Sequence, residues 1–448
     1  AEYKSLVMGT SKTVADATKT TYSVSRQGAG RVQIAKALDA KILSSDAAIS
    51  LGELPLEESK ILRRKVQLKA LVGSLDGLTI KWEGSPSIQL TSSLTKTGET
   101  TAELALSFKI SATGLANPVN ELEGRVLILN GQEEVHRLPT LAIVDKLANV
   151  AVDSLTIHST SIEDSFGAAV DLSLTNKGKH DSEVLLFNLV GNDTRKSDPE
   201  RSNYLSKNCD LQSAGFRVIQ KDLGQGAGVE PVLQVAVKMY DSLTTWNVCD
   251  ISVLIDADGD QIPEQELVGA PQENLQGLTA KTYASILLDS KKTRELRKKY
   301  EEDVKNHVEG VTENYTEAVL ALNPMVGFDS SSIAIVETPI SALKTRASGE
   351  LAIKVLTTFL DSSSVETDDY LDKAQTEWKS LDLDKDAQAF SGIPDSILLK
   401  AGETKNVELT KGASHDSLMV LAPRNRGALA GLTADKQLIL PEPLFKAE

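Results

Sequence analysis

In Thr101-Ala102-Glu103-Leu104-Ala105-Leu106-Ser107-Phe108-Lys109-Ile110, the large apolar residues Leu104, Leu106, Phe108 and Ile110 alternate with polar or small ones. A period of two sends successive side chains to opposite faces of an extended chain, so this stretch predicts a half-buried β-strand. The same period holds upstream at Val66 and Leu68, and again at Leu78, Ile80 and Trp82. Downstream, Val126 to Leu129 runs into Asn130-Gly131, the strongest short-range hairpin signal. Roughly seven such strands in about 100 residues predict a β-sandwich over residues 42–146.

Further along, a second β region begins near Asn149. Val170, Leu172 and Leu174 alternate before the turn Asn176-Lys177-Gly178, and Val184 to Val190 is a nearly continuous apolar run, as in a fully buried strand. Leu233, Val235, Val237 and Met239 alternate again, and Ile251 to Ile255 leads into an acidic loop. These strands predict a larger β-sandwich over 147–448. Residues 283–322 read as a helical insertion, with Leu296, Tyr300, Val304, Val308 and Val311 at spacings of four and three. Opposite charges four apart, such as Glu295/Lys299 and Lys298/Glu302, cover its other face. Either a solvated helix packed on a sheet or a partner-binding helix fits that pattern. Strand-like pieces return after Gly327, and residues 330–448 either form a third domain or close the second sandwich. Before all this, residues 1–41 read as short helices. Tyr3, Leu6 and Val7 share one helical face, and Ile34, Ala37 and Leu38 another behind the turn Gly28-Ala29-Gly30. The fold class expected is mainly β.

Composition narrows the function. Of 448 residues, 25% are charged and 41% hydrophobic, ordinary values for a globular chain. No run approaches the ~18 unbroken apolar residues of a membrane-spanning helix. With 48 Lys and Arg against 63 Asp and Glu, the formal charge is −15, which argues against nucleic-acid binding. Aromatics are 4%, so stacking platforms for bases or sugars are sparse. Cys209 and Cys249 stand too far apart for a Cys-x-x-Cys site; a disulfide and two buried thiols both fit. The chain opens at Ala1 without an initiator Met or a signal pattern, which reads as the product of processing.

Chemistry is sparse. Gly9-Thr10-Ser11 matches the residues around the nucleophile of subtilisin-like proteases, but Lys12-Thr13-Val14 follows where that family opens a helix. None of His136, His158, His180, His307 or His415 is followed by Gly, and the five read as surface or capping residues. No Walker loop, His-Glu-x-x-His or dinucleotide fingerprint occurs. One constellation stands out. The run from Asp256 to Glu266 sets Asp256, Asp258, Asp260 and Glu264 at alternate or near-alternate positions of a loop, where hard oxygen ligands can wrap Ca²⁺. Gln261 stands where such loops carry Gly, and a bidentate ligand at the twelfth position is missing. A solvated acidic turn between two strands fits the same residues. Two sequons, Asn192-Asp193-Thr194 and Asn314-Tyr315-Thr316, matter only in a eukaryotic secretory pathway.

The opening segment resembles the stretch that follows the nucleophile helix in multidomain subtilisin-like serine proteases. Glu2 to Met8 is similar to a helix that runs there into a Thr/Ser link, and Gln27-Gly28-Ala29-Gly30-Arg31-Val32-Gln33-Ile34-Ala35-Lys36-Ala37 resembles the signature closing the catalytic domain. Ile49-Ser50-Leu51-Gly52 looks like the first strand of the fibronectin type III-like domain that follows. Trp246 through the Asp256 loop, Ile397–Thr404 and Leu418–Pro423 are similar to strands of the large accessory domains. The resemblance implies that 1–41 ends a catalytic domain whose Asp, His and Ser lie upstream, so that this chain itself carries no catalytic residue. The expected role is a secreted or cell-surface accessory portion, partnered by the catalytic portion of the same protease, by protein substrates or by itself. The alternative is a β-sandwich cell-surface adhesin or structural shell protein with no peptidase role.

Overall fold

The computed structural model describes residues 2–158, 166–193, 209–222, 228–243, 246, 249–271, 282–312, 314–327, 331–359, 368–370, 378–383, 388, 390–413, 418–423, 425 and 438–439. Among them strands account for 58% and helical elements for 12%, so the chain is mainly β. It divides into two compact units, Ala1–Leu147 and Ala148–Glu448.

The first unit opens with three short helices, α1 (Glu2–Gly9), α2 (Val24–Gln27) and α3 (Ile34–Leu38). Eight strands follow: β1 (Ile42–Ser44), β2 (Ile49–Leu56), β3 (Ser59–Ala70), β4 (Leu78–Gly84), β5 (Ile88–Lys96), β6 (Thr101–Ser111), β7 (Val119–Asn130) and β8 (Glu133–Lys146). They form two four-stranded sheets, ordered β1-β3-β6-β5 and β2-β8-β7-β4. That order is the ABED and CFG arrangement of a constant-type immunoglobulin sandwich, with β2 added in parallel beside β8. Alternation supplies the core. Leu104, Leu106, Phe108 and Ile110 of β6 are all buried, as are Leu138, Ala142 and Val144 of β8. Trp82 meets Phe108 edge to face, with ring centroids 6.1 Å apart. Aliphatic side chains dominate this core, and truncating one of these leucines to Ala costs about 2–5 kcal/mol.

The second unit is built on an eight-stranded sheet. Its order is Val326–Gly327, Ser331–Pro339, Val229–Leu243, Leu211–Asp222, Ser182–Asn192, Leu418–Leu421 and Leu438–Ile439, with Ile397–Leu399 pairing onto Ser182–Asn192. Leu233, Val235, Val237 and Met239 pack in one cluster with Ile251, Val253, Ile255 and Val355 of a seven-stranded sheet. Val184 and Leu186 instead join Val170, Leu172 and Leu174 of a four-stranded sheet. Residues 184–190 are buried throughout, because this strand is covered on both faces.

The helical expectation for 283–322 is corrected here. Tyr283–Asp289 is a strand paired with Gln265–Pro271, and the helix, α4, runs only from Ser290 to Lys305. Asp289 ends the strand and caps the helix by accepting from Lys292 N at 2.9 Å. A short apolar run such as Ala284–Leu288 carries no period long enough to separate strand from helix. Leu296 packs on the outer face of Tyr283–Asp289, whereas Val304 and Val308 remain about half exposed.

Cys209 and Cys249 are joined, with Cα atoms 5.7 Å apart, inside the cluster that holds Trp246. Closing a loop of this length contributes about 3–4 kcal/mol in the chain-entropy account. Alkylation without reductant should therefore leave the intact mass unchanged. Cys209→Ser should lower the unfolding free energy of the second unit by about that amount, read by chemical denaturation.

Candidate functional site

The acidic loop connects Cys249–Asp256 to Gln265–Pro271 in an antiparallel hairpin. Asp256 is buried and organises the turn: its Oδ1 accepts from Gly259 N at 2.6 Å and its Oδ2 from Gln261 N at 3.1 Å. Asp258 and Asp260 repeat the device, accepting from Asp260 N at 3.1 Å and Ile262 N at 2.7 Å. One carboxylate oxygen from each of Asp256, Asp258 and Asp260 lies within 4.8 Å of the others, a spacing that could hold a metal ion. Glu264 stands outside that group, its Oε2 accepting from Ala257 N at 2.7 Å. Gln261, where the sequence lacks the usual Gly, has φ +67°, so it makes the sharp turn in the left-handed region. Arg346 lies over the loop: a Cβ built on Gly259 would stand 2.9 Å from its Nη2. Three hard oxygens suit a metal cation, while the backbone N–H groups of the turn already occupy part of their accepting capacity.

The Gly9-Thr10-Ser11 motif is structural. Thr10 Oγ1 donates to Leu6 O at 2.7 Å at the end of α1, and the buried Ser11 hydroxyl lies 2.6 Å from Ala29 O. Around them the N-terminal segment lies on the second sheet of its unit. Arg137 Nη1 donates to Thr13 Oγ1 at 2.8 Å, Ser25 Oγ to Glu121 at 2.6 Å, and Val24 N to Glu123. Val24, Ala29, Ser5 and Ser11 are buried and Leu6, Val7 and Met8 half-buried, whereas Tyr3, Val32, Ile34 and Leu38 are exposed.

At one end of the sandwich, Ser44 of β1 and His136 of β8 meet, with Oγ and Nε2 2.8 Å apart. A Ser–His contact is the signature of an activated nucleophile, yet both residues are buried and α1 covers them through Ser5 and Gly9. Ser44 gives its one hydroxyl proton to Asp46 O at 2.6 Å, so the ring donates from Nε2. Nδ1 is buried without a partner. Among the described residues no carboxylate orients the ring, and burial holds His136 down at about 4. The pair ties the two sheets and α1 together. His136 thus corrects the expectation of surface histidines; its place in an apolar alternation with Leu138 was the available signal. His158 does sit at the surface, 2.7 Å from Asp171.

Two further arrangements escaped sequence reasoning. A cleft of about 450 Å³ separates the N-terminal segment from the start of β8, lined among others by Lys12, Lys36, Asp39, Lys41, Glu133 and Arg137. Lys41 pairs with Glu133 at 3.1 Å across it, and its walls carry both signs of charge. In the second unit, three neighbouring strands carry a buried polar row. Arg217 Nε donates to Gln234 Oε1 at 2.9 Å, Gln234 Nε2 to Glu337 Oε2 at 2.8 Å, and Lys221 Nζ to Glu337 Oε1 at 2.6 Å. Burial lowers Arg217 to about 10, and its guanidinium lies 4.5 Å from the centroid of the Phe187 ring. Glu337 takes bonds from both Lys221 and Gln234, and Asp395 and Glu183 add negative charge near Arg217, so this hydrogen-bonded row fixes strand register rather than reacting. Of the sequons, Thr194 lies outside the described residues, and Asn314 Oδ1 accepts from Thr316 N at 2.9 Å.

No protein-family model matches the chain, and no curated protein does either. Among solved structures, tripeptidyl peptidase 2 aligns over 100% of this chain and 44% of its own length, at 9% identity and TM-score 0.22. A proposed carbohydrate binding protein from Bacteroides ovatus ATCC 8483 aligns over 71% of this chain and 98% of its own, at 8% identity and TM-score 0.19. Protocadherin gamma B7 extracellular cadherin domains 1–4 align over 80% and 75%, at 10% identity and TM-score 0.17. Scores this low are distant links and support no function.

Unfolding frees His136 to take up a proton near pH 6.5, whereas folded it does so only near 4. Its contribution to stability is therefore complete above about pH 6.5 and is lost as pH falls toward 4, by about 3 kcal/mol. His136→Gln should flatten that limb of a stability-against-pH curve. Glu337→Ala should cost about 3–5 kcal/mol, because Lys221 and Gln234 would keep unpaired donors. Gln261→Gly should stabilise by about 1 kcal/mol by removing left-handed strain, read as a raised denaturation midpoint.

Proposed function

We propose that this chain is the non-catalytic accessory portion of a secreted or cell-surface subtilisin-like serine protease. In this reading, residues 1–41 complete the catalytic domain, and the sandwich of 42–146 and the larger domain of 147–448 support it, restrict access to its cleft or recruit protein substrates. The observation that carries the reading is the set of large apolar side chains that the first 41 residues leave exposed. The segment turns Ser5, Gly9 and Ser11 inward and leaves Tyr3, Ile34 and Leu38 at 85%, 71% and 82% exposure. A short segment that folds with its large apolar side chains outward has a second surface to cover them. The catalytic portion is that surface. The Cys209–Cys249 bridge supports an oxidising compartment. Ca²⁺, bound by Asp256, Asp258 and Asp260 with Glu264 steadying the turn, would stiffen the acidic loop and take no part in peptide hydrolysis.

Isolation from the native source without denaturant should recover a second polypeptide in roughly equal amount, labelled by a fluorophosphonate at a reactive serine. Replacing Leu38 by Asp should weaken that association at least tenfold. A lone, unlabelled 48.1 kDa species assembling with itself would instead leave the adhesin or shell protein standing. Millimolar Ca²⁺ should raise the melting temperature of the intact chain by a few degrees, and Asp258→Asn should abolish the rise.

A further inference from the structure

The first unit has four sheet edges, and three are guarded against pairing with another chain. β1 is only three residues long; β2 carries Pro55 and a register shift between Ser50 and Gly52; β4 places Lys81 and Glu83 along its edge. Short strands, prolines, bulges and charges are the usual means of blunting an edge. β5 has none of them from Ile88 to Thr95. Its pairing with β6 runs without a shift from Ile88↔Ile110 to Lys96↔Ala102, and its first charge is Lys96 at the end.

The direction of its free backbone groups follows from the ladder. Ser111 N donates to Ser87 O at 2.9 Å and Thr97 N to Thr101 O at 3.0 Å, so odd-numbered residues exchange hydrogen bonds with β6. Leu90, Ser92 and Leu94 therefore direct their N–H and C=O groups away from β6, to the open edge. Their side chains point toward the core, where Leu90 and Leu94 are only partly buried.

We infer that β5 is a self-association edge, pairing antiparallel with β5 of a second copy about a two-fold axis through Ser92. The sequence Gln89-Leu90-Thr91-Ser92-Ser93-Leu94-Thr95 reads nearly alike from both ends. In this register Ser92 pairs with Ser92, Leu90 faces Leu94 of the second copy, and Thr91 faces Ser93. The leucines cover each other's open flanks on the core side, and hydroxyls meet hydroxyls on the outer side. No like charges oppose one another in this stretch. Pairing joins two four-stranded sheets into one of eight, with the isologous geometry of a C₂ dimer. The edge serves this chain whether or not it belongs to a protease, so labelling by a fluorophosphonate does not bear on it.

Sedimentation velocity of the full chain over a wide concentration range is the test. A reversible dimer is expected, and Ser92→Lys should weaken it at least tenfold while leaving the melting temperature of the dilute, monomeric chain unchanged, because Ser92 is exposed and its N–H is outside the β6 ladder. Directly opposed residues in such a pair have Cα atoms about 5.5 Å apart, within disulfide range. Ser92→Cys should thus form a covalent dimer without reductant, with the link between the two substituted positions read by mass spectrometry. A chain that stays monomeric throughout, a dimer indifferent to Ser92→Lys, or a Ser92→Cys chain that does not cross-link would each overturn the inference.

Discussion

Everything in the first unit depends on burying one face of β6. Leu104, Leu106, Phe108 and Ile110 lose almost all contact with water, and each fully buried side chain of that kind contributes about 1.5–3 kcal/mol. β3 and β5 pair on either side of that strand, and the opposing sheet is placed by what packs against its inner face. Few aromatics are available, so the interior is filled by branched aliphatics whose shapes fix register closely. A slip of one residue would turn the whole row outward.

Period was therefore the most legible signal. It located β3, β4, β6 and the β7–β8 hairpin, and it marked residues 184–190 as buried on both faces. It failed where runs were short. Tyr283–Asp289 and the first turns of α4 are adjacent apolar and amphipathic pieces, and only the capping carboxylate of Asp289 separates them. The order of strands between sheets was not legible either. Nothing in the sequence of β2 says that it lies parallel beside β8, because that pairing joins residues far apart in the chain.

Site residues were legible in proportion to how local they are. Asp256, Asp258 and Asp260 come together because a single turn assembles them, and sequence spacing was enough. Arg346, Glu337 and His136 act on residues from other strands, so their roles emerged only from the fold. The buried polar groups share a further property: each sits at a seam, whether between two sheets or across three strands. Apolar contacts tolerate small shifts, but a chain of hydrogen bonds is satisfied in one register and broken in the next. Such groups stabilise a particular arrangement more than they stabilise compactness.

The contact between Gly9 and His136 ties together two positions that no local reading connects. A methyl group at position 9 would collide with Cε1 of the imidazole, so the glycine is required by the ring and not by its own backbone. The two sites are epistatic: neither drifts alone, but a smaller residue at 136 would open position 9 to alanine. Among descendants of this chain, a side chain at position 9 should appear only where the histidine has been lost, while Thr10 and Ser11 are kept by their own bonds, so that an apparent protease motif is inherited for packing.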